Sequence, residues 1–382
     1  MSARDRADEL RLATRGSSLA LRQAGLVDEH LASRRLSVEL VTIETTGDQV
    51  RDELIHRLGK TGAFVRSLDE KVLNGELDAA VHSMKDMPTD QPPELVVAGI
   101  PERAAAGDVL VTPDGRSLDE LPGGATVGTS SLRRGAQLLA ERPDLTIEPL
   151  RGNVDTRVEK LLAPTLQREH QIRVEAAESE DDDDDGDDAG NDDTGAGDRE
   201  FDRSPGEWFD DLAEIERRAL ERAVDAEYDA ICLAEAGLAR SDLLGTLACE
   251  RLDPASFVPA AGQGAIAVTA LDGDIAQLIY DTVDHPPTRV ETTVERTILS
   301  ELGGGCVAPV GIHARLQGDV VSTTVRVLSR DGKREVRDSR DLSVERHAEA
   351  AVEFAADLAD EGAADLIQEA RREEPDDAKR AE

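Results

Sequence analysis

Short apolar runs alternate with helix-like patterns along residues 10–269. Such alternation predicts strands joined by helices, which is the pattern of a parallel α/β sheet. Helices are predicted over 19–31, where Ser17 or Ser18 would cap the first turn, and over 64–73. The predicted strands cover residues 10–13, 38–43, 79–81, 126–127, 146–150, 230–233 and 266–269. Ligands of such sheets bind beyond the carboxyl ends of the strands, so function is expected at that edge.

The pattern changes after Pro287. Three segments then alternate apolar and polar residues with a period of two, which predicts antiparallel strands. These strands cover residues 310–316, 322–328 and 335–342. Residues 345–370 follow with a helical pattern that breaks near Gly362. The sequence therefore predicts an α/β protein that ends in a small α+β domain.

Acidic residues dominate the composition. The 382 residues include 81 Asp and Glu against 44 Lys and Arg, which gives a formal net charge of -37, and aromatic residues make up 2%. Because apolar periodicity persists despite this charge, we expect a folded protein with an acidic surface rather than a disordered chain. Molar salt shortens the Debye length to about 3 Å and screens the self-repulsion of such a surface. We therefore expect a salt-adapted, halophilic protein.

The charge balance also bears on partners and location. Nucleic-acid binding begins with a basic surface, which this chain lacks, so nucleic acid is excluded as an expected partner. Residues 1–9 are charged without an apolar signal core, and no run reaches the length of a membrane span. We expect a cytoplasmic monomer that acts on a small molecule, away from membranes.

Residues 168–211 interrupt the α/β pattern. This segment contains consecutive aspartates at 181–185 together with Gly, Asn and Thr, and it lacks apolar periodicity. Its acidic residues do not follow the ligand spacing of an EF-hand loop, so no metal is expected there. A run of this composition cannot bury enough apolar surface to fold, and we predict a disordered, solvated insert.

The strongest functional signal is the segment Gly128-Thr129-Ser130-Ser131-Leu132-Arg133-Arg134. It lies between a predicted strand and a predicted helix, so its small residues leave backbone N–H groups free at a helix N-terminus, where negative charge is favoured. Its two arginines add planar guanidiniums that suit carboxylates or phosphates. An isolated segment of this kind is more often a helix cap followed by solvated arginines. Here the rest of the sequence favours an anion site.

Charged and hydroxyl residues recur just beyond other predicted strands. They are Arg15, Ser83, Lys85, Asp86, Thr129, Arg151, Arg157 and Arg240. His82 belongs to the same segment as Lys85 and Asp86, a segment that alone is typical of a solvated turn. Because arginines recur at several strand ends, we expect one ligand with several carboxylates or phosphates.

Cys306 is the cysteine with a functional context. It follows three glycines at 303–305, which strip side chains from its surroundings, so we expect an accessible thiol. Cys232 and Cys249 are expected to be small core residues. Three scattered cysteines indicate neither a disulfide framework nor a zinc site.

A series of ordered motifs is similar to the porphobilinogen deaminase family, also called hydroxymethylbilane synthase. The resemblance covers nearly the whole chain except the acidic insert and the tails, and motifs in series are far more specific than any one alone. The matching segments are 12–20, 45–48, 80–86, 127–134, 150–154, 236–238, 259–265, 295–296 and 304–306.

The resemblance implies a transferase of tetrapyrrole (porphyrin, heme) biosynthesis. Such an enzyme joins four porphobilinogen molecules head to tail, releases ammonia and gives the linear hydroxymethylbilane. The family carries a dipyrromethane cofactor on a thioether, for which Cys306 matches the attachment residue, and Asp86 matches the catalytic aspartate. The residues matching cofactor and substrate contacts are Arg15, Ser17, Ser83, Lys85, Thr129, Ser130, Arg133, Arg134, Arg151, Arg157 and Arg240. Gln263 falls in the segment near the family's interdomain hinge.

One loop departs from the family pattern. The family usually has a lysine where Thr61 stands and often another where Arg57 stands, whereas Lys60 is one residue out of register. Contacts from Arg57 and Lys60 to ligand carboxylates therefore stay open.

The resemblance also implies the arrangement of domains. Two α/β domains similar to periplasmic binding proteins would flank a cleft and close on hinges, and a small α+β domain would follow them. The first domain, with the catalytic aspartate, would combine 1–102 with a return segment at 264–282. The second would span 107–258 and contain the acidic insert. The third would span 287–370 and carry Cys306, followed by a charged tail at 371–382.

Two other functions stay open from the sequence. A protein without catalytic activity could bind an anionic small molecule in the same cleft, although it would not need an accessible cysteine after three glycines. A cysteine hydrolase or acyltransferase would need a histidine such as His82 or His313 near Cys306, and it would leave the arginines unexplained.

Overall fold

The framework consists of three separate sheets. The computed structural model describes residues 9–32, 36–43, 63–183, 201–305 and 308–380. Within these ranges the strands form two five-stranded sheets and one three-stranded sheet.

The first sheet combines N-terminal strands with one strand from much later in the chain. Its strands are β1 (Glu9–Arg15), β2 (Ser37–Ile43), β3 (Ala79–Ser83), β4 (Leu95–Gly99) and β10 (Ile266–Leu271). Their spatial order is β2-β1-β3-β10-β4, in which β1 is parallel to β2 and β3, and β10 is antiparallel to both of its neighbours. Helices α1 (Ser18–Ala32) and α8 (Asp274–Val283) cover one face, and α2 (Ala63–Leu73) covers the other.

The second sheet repeats this plan. Its strands are β5 (Asp108–Val111), β6 (Thr126–Gly128), β7 (Thr146–Glu148), β8 (Ala230–Ala234) and β9 (Cys249–Arg251). Their order is β7-β6-β8-β5-β9, with β6 parallel to β7 and β8, and β5 antiparallel to β8 and β9. Its helices are α3 (Leu132–Glu141), α4 (Val154–Asp183), α5 (Pro205–Asp211), α6 (Glu214–Leu220) and α7 (Glu235–Arg240).

The third sheet is an antiparallel meander of β11 (Val310–Gln317), β12 (Val320–Leu328) and β13 (Glu335–Ser343). Three helices cover it: α9 (Pro286–Glu301), α10 (His347–Asp360) and α11 (Ala363–Arg380). Their shared core includes the fully buried Ile298, Val325 and Phe354. The predicted α+β unit after Pro287 is therefore confirmed, including the helix break at Gly362.

The predicted fold class is confirmed, with one correction. Both five-stranded sheets are mixed rather than parallel. In the first, the chain returns from the second sheet and inserts β10 antiparallel between β3 and β4, and in the second, β5 is antiparallel to β8 and β9. Every strand predicted over 10–269 is present, but β4, β5 and β9 were not predicted. These three contain only three to five residues each, too few to show a period, and β9 reads Cys-Glu-Arg.

The prediction of a disordered insert over 168–211 is wrong at both ends. Helix α4 runs on to Asp183, and α5 follows from Pro205 behind a capping box made by Ser204 and Glu207. The Arg173 guanidinium lies 4.3 Å from the ring centroid of Phe201 and 5.2 Å from that of Trp208. Buried aromatic rings and cation–π contacts therefore stabilise the base of the insert, where its two ends meet. The acidic composition of the segment gave no indication of these contacts. Residues 184–200 lie outside the described ranges.

No helix in the described part of the chain is both long and apolar enough to cross a bilayer.

Candidate active site

Most of the residues predicted to bind the ligand lie where strands end. Arg15 is the last residue of β1, Ser83 is the last residue of β3, and Thr129 directly follows β6. Parallel strands of one sheet end at the same edge, so Arg15 and Ser83 belong to one edge of the first sheet. Thr129 belongs to the corresponding edge of the second sheet.

A single 3-10 turn, Met84–Asp86, follows β3 and presents the predicted catalytic aspartate. Met84 is 1% exposed, its backbone N–H donates to the Ala265 carbonyl at 3.1 Å, and the Met87 N–H closes the turn on the Met84 carbonyl at 3.1 Å. Asp86 itself is exposed and makes no hydrogen bond or ion pair with the described residues. The turn is therefore fixed from behind, while its carboxylate stays available to a ligand.

Charges from both five-stranded sheets meet around this turn. Burial lowers the pKa of the Lys85 ammonium, the charge of Asp86 opposes this shift, and the guanidiniums of Arg134 and Arg157 add to it. Burial together with Arg134 lowers the pKa of Arg157 to about 10, although Asp86 acts in the opposite direction. These mutual effects require that Lys85 and Asp86 of one unit lie close to Arg134 and Arg157 of the other. The structure thus brings these four predicted residues together.

Arg133 and Arg134 point inward rather than toward solvent. They are 4% and 5% exposed, and they hold the carboxylate of Asp108 from both sides, with Arg133 Nη1 at 2.7 Å from Oδ2 and Arg134 Nε at 2.9 Å from Oδ1. Burial alone would raise the pKa of Asp108, but the two guanidiniums hold it far below its usual range. Much of their donor capacity is therefore used inside the protein, which the motif alone did not indicate.

Gln263 joins the two segments that connect the five-stranded units. Its Nε2 donates to the Ala106 carbonyl at 2.5 Å and to Asp108 Oδ1 at 2.9 Å, and its Oε1 accepts from Arg133 and Arg134 at 3.3 and 3.2 Å. The next residue, Gly264, has φ of +85°, and a Cβ there would lie 2.5 Å from the Ala104 carbonyl oxygen. The connecting segments therefore touch at the point where a hinge was predicted.

The remaining predicted contacts fall into two groups. Ser17 accepts the Ala20 N–H at 3.3 Å, Ser130 donates to the Leu150 carbonyl at 2.7 Å, and Thr129 Oγ1 accepts from the Ser131 N–H at 3.2 Å, so these hydroxyls also shape their own loops.

Among the arginines, the side chains differ in how many donors they use. Arg157 Nε donates to the Gly152 carbonyl at 2.8 Å, and Arg240 Nη2 donates to the Gly264 carbonyl at 2.7 Å. Arg151 makes no hydrogen bond or ion pair with the part of the chain that is described, so its whole guanidinium stays available.

Three charged residues that matter here were not assigned a role from the sequence. Glu295 in α9 is fully buried and accepts both Nη atoms of Arg103, at 2.8 and 3.0 Å. Its neighbour Arg296 donates to main-chain carbonyls of the turn that carries Asp86. For Glu295 and Arg296 the available signals were their charges in the middle of an amphipathic helix and the matched segment 295–296, whereas Arg103 lies outside the helices and strands.

Several predicted residues lie outside the described ranges: Cys306, Arg57, Lys60 and Thr61. Helix α9 ends just before Cys306, where Gly303 has φ of +64° and the Gly304 N–H donates to the Leu299 carbonyl at 2.8 Å. The other two cysteines are described. Cys232 is fully buried, and burial raises its pKa to about 12, as expected of an inert core thiol. Cys249 is partly buried, and burial raises the pKa of its thiol too.

His82, which the alternative cysteine enzyme would need as a base, lies inside the first unit. It belongs to β3, is 5% exposed, and its Nε2 lies 2.9 Å from Asp69 Oδ1 and 3.0 Å from Thr269 Oγ1. The strand simply runs two residues further than its apolar core, and the alternation of side chains turns His82 into the interior. Asp69 and Thr269 therefore engage its Nε2 in the interior of the first unit.

In the described part of the chain, basic side chains from two α/β units thus lie around the exposed carboxylate of Asp86. This arrangement defines a class, namely proteins in which two α/β units provide basic groups suited to a small molecule that carries several negative charges.

Comparison with family models narrows the class. The model described as "Porphobilinogen deaminase, dipyromethane cofactor binding domain" matches residues 10–170 and 214–278, and the model described as "Porphobilinogen deaminase, C-terminal domain" matches residues 290–363. The chain belongs to the porphobilinogen deaminase family. Between its two matched ranges the first model leaves residues 171–213 unmatched, and these overlap most of the insert predicted at 168–211.

Relatives support the same family. The "Probable porphobilinogen deaminase" of Halobacterium salinarum is 52% identical over 368 residues, covering 89% of this chain and 92% of the relative. That of Methanococcoides burtonii is 37% identical over 342 residues, covering 89% and 90%. The "Porphobilinogen deaminase" of Desulforudis audaxviator is 37% identical over 333 residues, covering 86% and 87%.

Solved structures with partial similarity include two substrate-binding proteins. The methionine-binding protein MetQ covers 72% of this chain and 90% of its own at 13% identity, with a TM-score of 0.33. A periplasmic substrate-binding protein of an ABC transporter from Coxiella burnetii covers 73% and 94% at 11% identity, with a TM-score of 0.35. At TM-scores this low the similarity supports no conclusion about the fold, which is defined by the three sheets.

Proposed function

We propose that this chain is a hydroxymethylbilane synthase, a transferase that condenses four porphobilinogen molecules head to tail and releases ammonia at each addition. The observation that carries the proposal is the exposed Asp86 carboxylate, which stands on a rigid turn among Lys85, Arg134 and Arg157. Family membership supplies the reaction, and this site supplies groups suited to it.

Asp86 is proposed as the catalytic residue. Loss of ammonia from porphobilinogen leaves an electron-poor, positively charged pyrrole, and the ring N–H of that pyrrole is a hydrogen-bond donor. A carboxylate that holds this N–H stabilises the positive charge as it develops. Because Asp86 makes no hydrogen bond or ion pair with the described residues, its oxygens can accept from the pyrrole.

Basic and hydroxyl residues are proposed to hold the acetate and propionate groups of the pyrroles. Lys85 and Arg151 use none of their donors on the described residues, and Arg157 uses only Nε. Arg134 keeps Nη1 for a ligand, whereas Arg133 supports it from behind through Asp108. The other proposed contacts are Arg15, Ser17, Ser83, Thr129, Ser130 and Arg240, with Arg57 and Lys60 as further candidates from the loop outside the described ranges.

The donor set fits a dipyrromethane cofactor. A dipyrromethane built from two porphobilinogen units carries four carboxylates, and the site concentrates arginines and a lysine in a chain whose net charge is -37. We propose that Cys306 holds this cofactor through a thioether, which the glycine turn at the end of α9 would leave accessible. When bound, the cofactor supplies an anchored pyrrole end to which substrate is added.

The three sheets support the proposed division into domains at 1–102 with 264–282, 107–258 and 287–370. Each proposed domain contains the strands of one sheet, and β10 accounts for the return segment of the first. We propose a monomer without a nucleic-acid partner, since the chain carries a formal net charge of -37 and nucleic-acid binding begins with a basic surface.

The test is the intact mass of the purified protein beside that of Cys306→Ala, together with an ammonia assay on porphobilinogen. A wild-type mass increased by one dipyrromethane, absent from the variant, with ammonia release by the wild type only, is the expected result. Ammonia release without added mass would overturn the cofactor assignment. Porphobilinogen binding with neither mass nor ammonia would identify a binding protein instead.

A further inference from the structure

A side chain from the third unit donates hydrogen bonds to the turn that carries Lys85 and Asp86. Arg296, in the middle of α9, donates from Nη2 to the Pro88 carbonyl at 2.7 Å and from Nη1 to the Met87 carbonyl at 3.3 Å. Nη1 also lies 3.5 Å from the Met84 carbonyl oxygen. One guanidinium therefore binds main-chain carbonyls on both sides of Asp86.

Arg296 has no carboxylate partner among the described residues, although it is half-buried and burial lowers its pKa. A partly buried guanidinium is usually matched by a carboxylate. Hydrogen bonds from a charged donor are stronger than those between neutral groups, so main-chain carbonyls compensate for the missing partner only while they keep their present orientation. The charge of Arg296 is thus tied to the conformation of the turn.

The other side of the turn is fixed by the residue next to Arg296. Glu295 accepts the Gly262 N–H at 2.6 Å, and a Cβ at Gly262 would lie 2.8 Å from Met84 Cγ. Helix α9 therefore holds the hinge segment with Glu295 and the turn with Arg296, while Met84 packs between them.

We propose that Arg296 is a positioning residue that aims the Asp86 carboxylate into the cleft by fixing the main chain from Met84 to Pro88. It acts through the backbone and does not touch the substrate. Since α9 also leads into the glycine turn before Cys306, the same helix connects the cofactor attachment segment with the catalytic turn. This inference rests on the proposed function of Asp86.

The test compares Arg296→Lys with Arg289→Lys, two substitutions in α9. Arg289 also links α9 to the first unit, through Asp284 and the Val97 carbonyl at 3.1 Å, but it does not contact the turn. We expect Arg296→Lys to lower kcat of cofactor-loaded enzyme by about 10- to 100-fold, because an ammonium cannot span three carbonyls and a small misplacement of a reacting group costs this much. KM should stay within about twofold, since the carboxylate-binding donors are unchanged. Arg289→Lys should keep the wild-type kcat.

Hydrogen exchange provides a second measurement that does not depend on activity. The Met87 N–H, which closes the turn, should exchange faster in Arg296→Lys than in the wild type or in Arg289→Lys. Wild-type kcat in Arg296→Lys, or an unchanged Met87 exchange rate, would overturn the inference. If Arg296→Lys does not fold, Arg296→Gln takes its place in both measurements. A wild-type protein that does not turn over porphobilinogen would instead refute the proposed function, while the exchange rate would still report whether Arg296 holds the turn.

Discussion

Glu295 accepts both Nη atoms of Arg103, at 2.8 and 3.0 Å, although no part of Glu295 is exposed. The same carboxylate accepts the Gly262 N–H at 2.6 Å and the Ala314 N–H at 2.9 Å, while Arg103 Nε donates to the Gln263 carbonyl at 2.8 Å. One ion pair thus joins the segment that leaves the first sheet, the hinge segment and the third sheet. It is the point at which all three units depend on one another.

Removing Arg103 should therefore be costly. Arg103→Met leaves a buried carboxylate without its counter-charge, and breaking a buried pair in this way costs about 3–5 kcal/mol. The free energy of urea unfolding at constant molar salt measures the loss. Arg346→Met is the control, because its ion pair with Glu349 is exposed and such pairs contribute about 1 kcal/mol or less. Equal small losses in both variants would mean that the Glu295 pair does not hold the units together.

Asp86→Asn should separate chemistry from binding. The amide keeps the size of the side chain but loses the charge that stabilises a developing cation, and loss of one such group costs about 100-fold or more in kcat. KM should change little, because the donors to substrate carboxylates remain. Steady-state ammonia release measures both quantities, and Asp90→Asn, another exposed aspartate near the same turn, should leave both unchanged. An equal loss in kcat and in substrate affinity would contradict a role confined to the reaction.

Lys85 should make substrate affinity fall at alkaline pH. Burial and the neighbouring Arg134 and Arg157 lower its pKa, so the folded protein loses this proton at a lower pH than the unfolded chain does. Since carboxylates need the charged form, KM should rise as pH passes upward through the lowered pKa toward the ordinary value of about 10.4. KM of Lys85→Arg should stay flat until Arg157, with its pKa of about 10, begins to titrate.

The contribution of Lys85 to stability should increase with pH over the same range in which substrate affinity falls. The unfolded state binds more protons at Lys85 than the native state between the lowered pKa and the ordinary one, so this group's contribution to stability increases with pH there. Unfolding free energies of wild type and Lys85→Met, measured across that range, give the contribution by difference. A difference that does not depend on pH would show that the Lys85 pKa is unperturbed.

Sequence reasoning reached the strands, the third unit and the residues at strand ends because each leaves a local signal. The apolar residues Leu12 and Ala13 predict β1, and the alternation of apolar and polar residues around Val325 predicts β12. Short strands such as β9 have no such local signal, and the strand with which they pair depends on the path of the whole chain. The antiparallel insertion of β10 is likewise a property of the whole path.

The sequence predicted many residues of the candidate site, but not which contacts they make. Arg133 and Arg134 carry the residue type expected of an anion site, yet their main partner, Asp108, lies between the matched segments 80–86 and 127–134 and opens an unpredicted strand. Arg296 lies in the matched segment 295–296, but no role was assigned to it from the sequence. Which donors stay free for a ligand is decided by such distant contacts, and no local pattern contains them.

The acidic insert should be dispensable for catalysis. Replacing residues 184–200 with a short Gly-Ser linker removes eight acidic residues and one basic residue, but it leaves the base of the insert, where Trp208 is 8% exposed against Arg173. We expect unchanged kcat and KM, and a melting temperature that depends less steeply on KCl, because the self-repulsion to be screened is smaller. Trp208→Ala is the contrasting variant: it should lower stability by about 3–5 kcal/mol through the lost packing, again with wild-type kcat in the folded protein. A lower kcat after the replacement would give the insert a part in the reaction.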